Sequence, residues 1–245
     1  MEKERDRRAE WYVPRWGPLR FRIFVGLLFL PYTGMVLSFI VIGSMLADRI
    51  HWDRLVAAVV VYFLGLGIAA HALDALGSRK VKPWGKHFTR SQLWAMVIAT
   101  LVSAYAIAIY YIITRDLPLL WMIALLEGFF VFAYNLEWFN GKFHTDPWFS
   151  FSWGMLPVLA GYIIQTNRVS LAAVMVAFAM GFLSYVEINA SRPYKELKRS
   201  SQPLGGPDSG RSPIEEMKQY EKILKSISLG VILLGLGLLI LRSWP

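Results

Sequence analysis

"IAAHALDALGSRKVKPWGKH", residues Ile68 to His87, is the stretch on which the reading of this chain turns. An apolar run of membrane grade ends in His71 and Asp74, then gives way to Arg79, Lys80, Lys82 and Lys86. Residues three apart on a helix share a face, so the imidazole and the carboxyl are presented together. A helix that meets a basic loop in this way is leaving a bilayer on the cytoplasmic side, where lysine and arginine collect.

The rest of the chain repeats the pattern. Hydrophobic residues make up 56% of the 245 positions and aromatics 15%, well above a soluble domain of this length. Cysteine is absent, which excludes disulfides and thiolate metal sites. The net charge of +9 does not point to nucleic acid, because the basic residues sit between apolar runs. Seven runs approach the ~20 residues needed to cross a bilayer. They fall near Phe21–Leu46, Leu55–Leu76, Gln92–Ile113, Leu119–Trp138, Trp148–Gln165, Ser170–Ile188 and Ile227–Leu241. The first is no cleavable signal peptide: a polar arm precedes it, it is too long, and it lacks a small-residue cleavage site.

The fold class expected is therefore all-α, a polytopic transmembrane bundle of about seven spans. With the N-terminus inside, 21 of the 26 lysines and arginines lie on the cytoplasmic side, so the expected orientation is N-in and C-out in the cytoplasmic (inner) membrane. Residues 1–20 read as a basic, aromatic arm on the membrane surface, with Trp11 and Trp16 at the headgroups. Residues 21–190 read as a six-span bundle, and 191–225 as a cytoplasmic linker with a short amphipathic helix. Ser212-Pro213-Ile214-Glu215 supplies the start of that helix through a cap, a proline and first-turn acids. Residues 226–245 form the final span. The glycines of "GLGIAA" and "GVILLGLGLL" are expected to let helices approach closely.

Polar chemistry concentrates at the inner ends of the helices. His71 and Asp74 close span two, Asn135 and Glu137 close span four, and His144 and Asp146 follow in the next connection. Glu187 and Asn189 close span six, with Arg192 and Lys195 beyond. An acid at one helix end is either solvated or part of a site, and His71 is either a ligand or a hydrogen-bonding partner of a neighbouring helix. Clusters arriving at one level favour a shared site, since ionisable groups at membrane depth usually face a bundle interior. Imidazole and carboxylate together suit a divalent cation, and Mg²⁺ commonly binds through few carboxylates plus substrate phosphates. Nearby Lys and Arg suit the phosphates. Glu127 differs, because it sits mid-span about 15 Å of helical rise from Glu137. It is expected to pair with a Tyr, Ser or Trp side chain, or else to mark a pathway. Trp148, Phe149, Phe151 and Trp153 either line an apolar groove for a lipid tail or belong to an interfacial aromatic belt.

From Arg20 to Arg199 the layout resembles the UbiA superfamily of intramembrane prenyltransferases. In "AHALDALGSRKVKPWGKHFTRSQLW", Asp74 falls on the middle acid of that family's first motif, His71 on its first acid, Ser78 on its last and Ala70 on its asparagine. "KPWGKHFTRSQ" resembles the family's proline-to-glycine turn, with a Thr/Ser cap opening the third span. "YNLEWFNGKFHTDPWFSFSWGMLPVLAGY" resembles its tyrosine-to-lysine loop, and "YVEINASRPYKELK" stands where its second acidic motif falls. The resemblance implies an enzyme acting on an isoprenoid or lipid diphosphate, with Mg²⁺ as cofactor. It implies metal ligands among His71, Asp74, Glu137, His144, Asp146 and Glu187, with Asp74 and Glu187 catalytic. It implies diphosphate contacts from Arg79, Lys80, Asn135, Lys142, Asn189, Arg192 and Lys195. The competing expectation is a UbiA-like protein that binds a lipid or a partner without catalysis.

The charge asymmetry generates one prediction about orientation. A reporter fused after Pro245 should behave as extracytoplasmic and one inserted between Ser200 and Pro213 as cytoplasmic. The reverse pattern in a paired alkaline phosphatase and fluorescent-protein assay would overturn the orientation.

Overall fold

A computed structural model describes residues 10–77, 87–199 and 212–244. The described residues are all-helical and contain no strand. Helices α1 (Leu19–Leu27) and α2 (Leu30–Met45) form a pair bent by 41°. They are followed by α3 (Trp52–Gly77), α4 (Arg90–Thr114), α5 (Leu119–Asn135) and α6 (residues 146–166). Helices α7 (Leu171–Arg199) and α8 (Pro213–Ser243) complete the order. By length and composition α3, α4, α7 and α8 can each cross a membrane, and the bent α1–α2 pair meets the same criteria when taken as one span. Helix α5 is apolar but shorter, at 17 residues.

Local sequence explains most of the ends. Thr89 opens α4 with a capping box: its hydroxyl accepts from Gln92 N–H, and the Gln92 side chain accepts from Thr89 N–H. Ser212 and Glu215 do the same for α8, with Pro213 in the first turn. The helix begun at Ser212 does not stop before the last apolar run. It continues for 31 residues, so the expected short helix and final span are one element. The first apolar run departs from expectation in the other direction. It breaks at Phe29, whose φ of 44° is left-handed, and restarts with Pro31 in the first turn of α2.

Two helices widen. Phe63–Ala69 in α3 and Ser150–Met155 in α6 are π-helical. In α6 the widened turn immediately precedes Pro157, which cannot donate to the carbonyl four residues back. Such bulges re-aim side chains and recur at functional positions. Here they lie beside His71 and around Trp153.

The tightest packing joins α2 to α6. A Cβ on Gly43 would collide with the Val158 carbonyl, and one on Gly161 with the Ile40 carbonyl. The two backbones touch, and Ser44 Oγ donates to Gly161 O at 3.0 Å. The glycine stretches singled out in the sequence contribute less than expected. Gly67 meets Thr33 and Gly235 meets Ser38, but Gly65, Gly230 and Gly237 face open space. The N-terminal arm also departs from a simple surface role. Glu10 accepts from Tyr194 Oη and Lys198 Nζ, both at 2.9 Å, and Lys225 lies over the Trp11 ring. Trp16 is exposed, at 71%, as are Arg15, Gly17 and Pro18 beside it.

The α2–α6 contact predicts a graded response. Gly161→Val should lower stability by about 1–3 kcal/mol or more, because backbone leaves no room for the side chain. Gly237→Ala, in open space, should be neutral or stabilising by up to about 1 kcal/mol. Thermal unfolding of the two variants in detergent checks the contrast.

Candidate functional site

The C-terminal parts of α3, α5 and α7 and the N-terminal part of α6 meet around an aromatic and polar tract. At one end stands Tyr134, in the last turn of α5. Tyr134 is buried there, with Arg192 of α7 among the charges that act on it. Arg192 Nε pairs with Asp146 Oδ1 at 2.9 Å, and Arg192 Nη2 donates to the His144 carbonyl at 3.2 Å. His144 Nδ1 lies 3.0 Å from the Tyr134 carbonyl, and the two rings are 4.5 Å apart. One guanidinium thus ties α7 to the α5–α6 connection.

From Tyr134 the tract runs inward through rings. Tyr134 contacts Phe149, Phe149 stacks on Trp153 at 5.4 Å, and Trp153 approaches His71 at 5.5 Å. His71 is buried and stacks on Phe29 at 4.6 Å. Lys195 lies over the other end of this path, 5.8 Å from the Phe29 ring, and is the charge nearest in effect to buried Glu187. Phe29 is the left-handed residue at the α1–α2 break. The break is what turns its ring onto the imidazole.

The hydrogen-bonding role of His71 follows from its neighbour. Thr33 Oγ1 donates to the Leu28 carbonyl at 2.6 Å, so its one hydrogen is engaged there. His71 Nε2, 3.4 Å from the same hydroxyl, must then supply the proton in that pair. A protonated nitrogen is not a metal ligand.

The structure gathers some of the sequence-derived residues and separates others. Asp146, His144 and Arg192 come together beside Tyr134, and Lys195 connects to His71 through Phe29. Asn135 is buried but bonds back to the Val131 carbonyl within its own helix. Asn189 is exposed and bonds back to Tyr185, on a different face of α7 from buried Glu187. Lys142 is exposed. Glu137 is left-handed at the start of the tight turn after α5, where Phe139 and Asn140 also have positive φ. Arg79 and Lys80 lie outside the described residues. Among the described residues no three His, Asp or Glu side chains come together as a metal-holding group. Asp146 is paired to Arg192, and His71 Nε2 faces the Thr33 hydroxyl.

A second feature lies deeper in the bundle. Between α3, α4, α5 and one turn of α6 is a half-open cavity of about 110 Å³. Ala58, Gly65, Ala108, Ile112 and Val131 are among its apolar walls, and Tyr62 and Glu127 supply its polar groups together with Tyr105 and Tyr111. Glu127 does pair with a tyrosine, as its mid-span position suggested: Tyr62 Oη donates to Oε1 at 2.8 Å. Its other oxygen, Oε2, is buried and accepts from nothing. A buried acceptor left unmade costs about 1–3 kcal/mol. Tyr105 donates instead to the Ala124 carbonyl at 2.8 Å, and its hydroxyl fills the space against Gly128.

Three participants were invisible to residue-type reasoning: Phe29, Thr33 and Tyr134. The only local signal was the "LPY" that restarts a helix after Phe29. Comparison with known families, curated proteins and solved structures gives no match to this chain.

The Arg192 hub generates a prediction. Arg192→Lys keeps the charge but loses the fork that reaches Asp146 and the His144 carbonyl at once. It should lower stability by about 1.5–3 kcal/mol, the range for hydrogen bonds to charged groups. Thermal unfolding of Arg192→Lys against Glu196→Lys, an exposed change on the same helix, checks it.

Proposed function

We propose that this chain is a seven-span, UbiA-like membrane protein that holds a lipid by burying its apolar part, without metal-driven prenyl transfer. The observation that carries the reading is the cavity among α3, α4, α5 and α6. It lies within the apolar part of the helices and is walled almost wholly by hydrocarbon. Such a cavity favours an apolar occupant, and burial of each methylene adds about 0.8 kcal/mol. The inner-level groups support the same reading from the other side. Asp146 and Arg192 are engaged with each other and His71 with Thr33, so these side chains knit helices together.

The second reading is the prenyltransferase, acting on an isoprenoid diphosphate with Mg²⁺. One observation favours it. Asp74 stands in the last turn of α3, and in sequence the basic run that begins at Arg79 follows it. Both readings take the N-terminus to be cytoplasmic.

A direct comparison separates them. The purified chain is mixed with farnesyl or geranylgeranyl diphosphate, with and without Mg²⁺, and thermal stabilisation and pyrophosphate release are followed together. The binding reading expects stabilisation that ignores Mg²⁺ and no pyrophosphate. It also expects Asp74→Asn and Arg79→Ala to bind as the parent does, because tail burial carries the affinity. Mg²⁺-dependent pyrophosphate release that falls at least ~10²-fold in Asp74→Asn would overturn it in favour of transfer.

A further inference from the structure

The cavity runs toward the end of the bundle where α3 and α5 begin. Leu120 in the first turn of α5, Ile112 in the last turn of α4 and Ile164 in the last turn of α6 all line it. Its walls present hydrocarbon almost throughout, so an occupant's chain lies inside and its polar part outside. What stands at the rim therefore selects the headgroup.

The rim carries arginine. Arg54 Nη1 donates to the carbonyl of Ile164, itself a wall residue, at 3.2 Å, and to that of Gln165 at 3.3 Å. Arg115 stands one turn beyond Tyr111, another wall residue, whose hydroxyl donates to the Asp53 carbonyl at 3.3 Å. Arg115 Nη2 pairs with Asp53 Oδ2 at 3.2 Å, which joins the start of α3 to the end of α4. Arg49 precedes α3 and is exposed. Burial and the charges of Arg54, Arg49 and Arg115 lower the His51 pKa against the opposing charge of Asp53, so the three guanidiniums share one field. Asp53 neutralises one of them. Among the described residues, Arg54 Nε and Nη2 and the guanidinium of Arg49 make no hydrogen bond or ion pair within the chain. At this end of the bundle Arg49, Arg54, Arg115, Arg168 and Arg242 stand against Asp48, Asp53 and Asp116, five positive charges to three negative.

Uncommitted guanidinium donors at the edge of a hydrocarbon slot suit a phosphate, which matches their forked geometry. A zwitterionic headgroup brings a cation into the same positive field and gains less. We propose that the cavity and its rim bind an anionic glycerophospholipid, one chain entering the cavity and the phosphate seated among Arg49, Arg54 and Arg115. This inference rests on the lipid-binding reading above and names the class of the lipid. It also names the leaflet that supplies it: the one at the start of α3, opposite the tract around Tyr134 and His71.

The test uses the full-length chain in detergent, with the unfolding temperature followed against the mole fraction of added lipid. The probes are dioleoyl phosphatidylglycerol, dioleoyl phosphatidylcholine and sn-glycerol 3-phosphate. The first two share their chains, and the third has the anion without a chain. Phosphatidylglycerol is expected to stabilise the parent at about tenfold lower mole fraction than phosphatidylcholine, the scale of a charge-assisted contact, and glycerol phosphate not at all. Arg49→Gln with Arg115→Gln, both exposed, should fold and should remove that preference. Lys218→Gln with Lys222→Gln takes the same charge from exposed positions at the other end of α8 and should leave the preference intact. Gly65 lines the cavity and a Cβ there meets no atom within 4 Å, so Gly65→Leu should occupy chain space and weaken both lipids. Equal stabilisation by the two lipids, with Gly65→Leu weakening both, would overturn the headgroup assignment and leave the lipid cavity standing. So would a preference that survives the arginine pair or is lost with the lysine pair. Stabilisation by glycerol phosphate equal to that by phosphatidylglycerol would reduce the rim to a site for a free anion and overturn the lipid assignment. Stabilisation by neither lipid, or stabilisation unaltered by Gly65→Leu, would overturn both this inference and the lipid-binding reading.

Discussion

Two backbones in contact set the geometry of this bundle. Gly43 of α2 and Gly161 of α6 each lie against a carbonyl of the other helix, with no side chain between them. In a membrane there is no hydrophobic gain from pressing one apolar helix on another, so close fit and interhelical hydrogen bonds must hold them. The contact supplies both, since Ser44 Oγ bonds to the Gly161 carbonyl across it. Phe29 and Thr33 lie at the start of α2, and Trp153 on the widened turn of α6. Fixing the two helices therefore fixes what surrounds His71. The same crossing holds α6 where Ala160 and Ile164 close one wall of the mid-span cavity.

The polar groups of the bundle fall into two kinds. Some join helices at the end of the bundle where α3, α5 and α7 finish: Arg192 links Asp146 and the His144 carbonyl. At the opposite end, Gln165 exchanges bonds with both backbone groups of His51, and Asn167 accepts from Leu119 N–H. These are fasteners between spans. Glu127 is of the other kind: Tyr62 donates to one oxygen, and the other is buried without a hydrogen-bond partner.

Strained backbone is placed where the polar tract needs it. Phe29 and Glu137 are both left-handed without being glycine, a conformation that costs on the order of 1–3 kcal/mol. The first aims an aromatic ring at His71, and the second ends α5 one residue after Asn135 and Leu136. Helix α7 runs through Pro193 immediately after Arg192. The missing N–H of Pro193 leaves the Asn189 carbonyl without its usual helical donor, at the level where Arg192 reaches across to α6.

Much of this architecture was legible in the residues. Apolar run lengths marked the helices, and the Ser212 cap marked one start to the residue, while the Thr/Ser cap before α4 left Thr89 and Ser91 as alternatives. Glu127 was readable as a paired mid-span acid because a lone carboxyl in hydrocarbon demands a partner. These are one-dimensional properties: transfer cost, capping chemistry and charge follow from residue type and order. What only the tertiary structure decided was partnership. That Glu127 meets Tyr62 and not a serine depends on which helices pack at which depth. So does the use of Gly43 and Gly161 as the close contact, while Gly65 and Gly237 face open space. His71 looked like a ligand beside Asp74 because three residues on a helix share a face. In the folded chain its partners are Thr33, Phe29 and Trp153, brought by helices distant in sequence. Periodicity states which face a side chain occupies, and only packing determines what stands opposite that face.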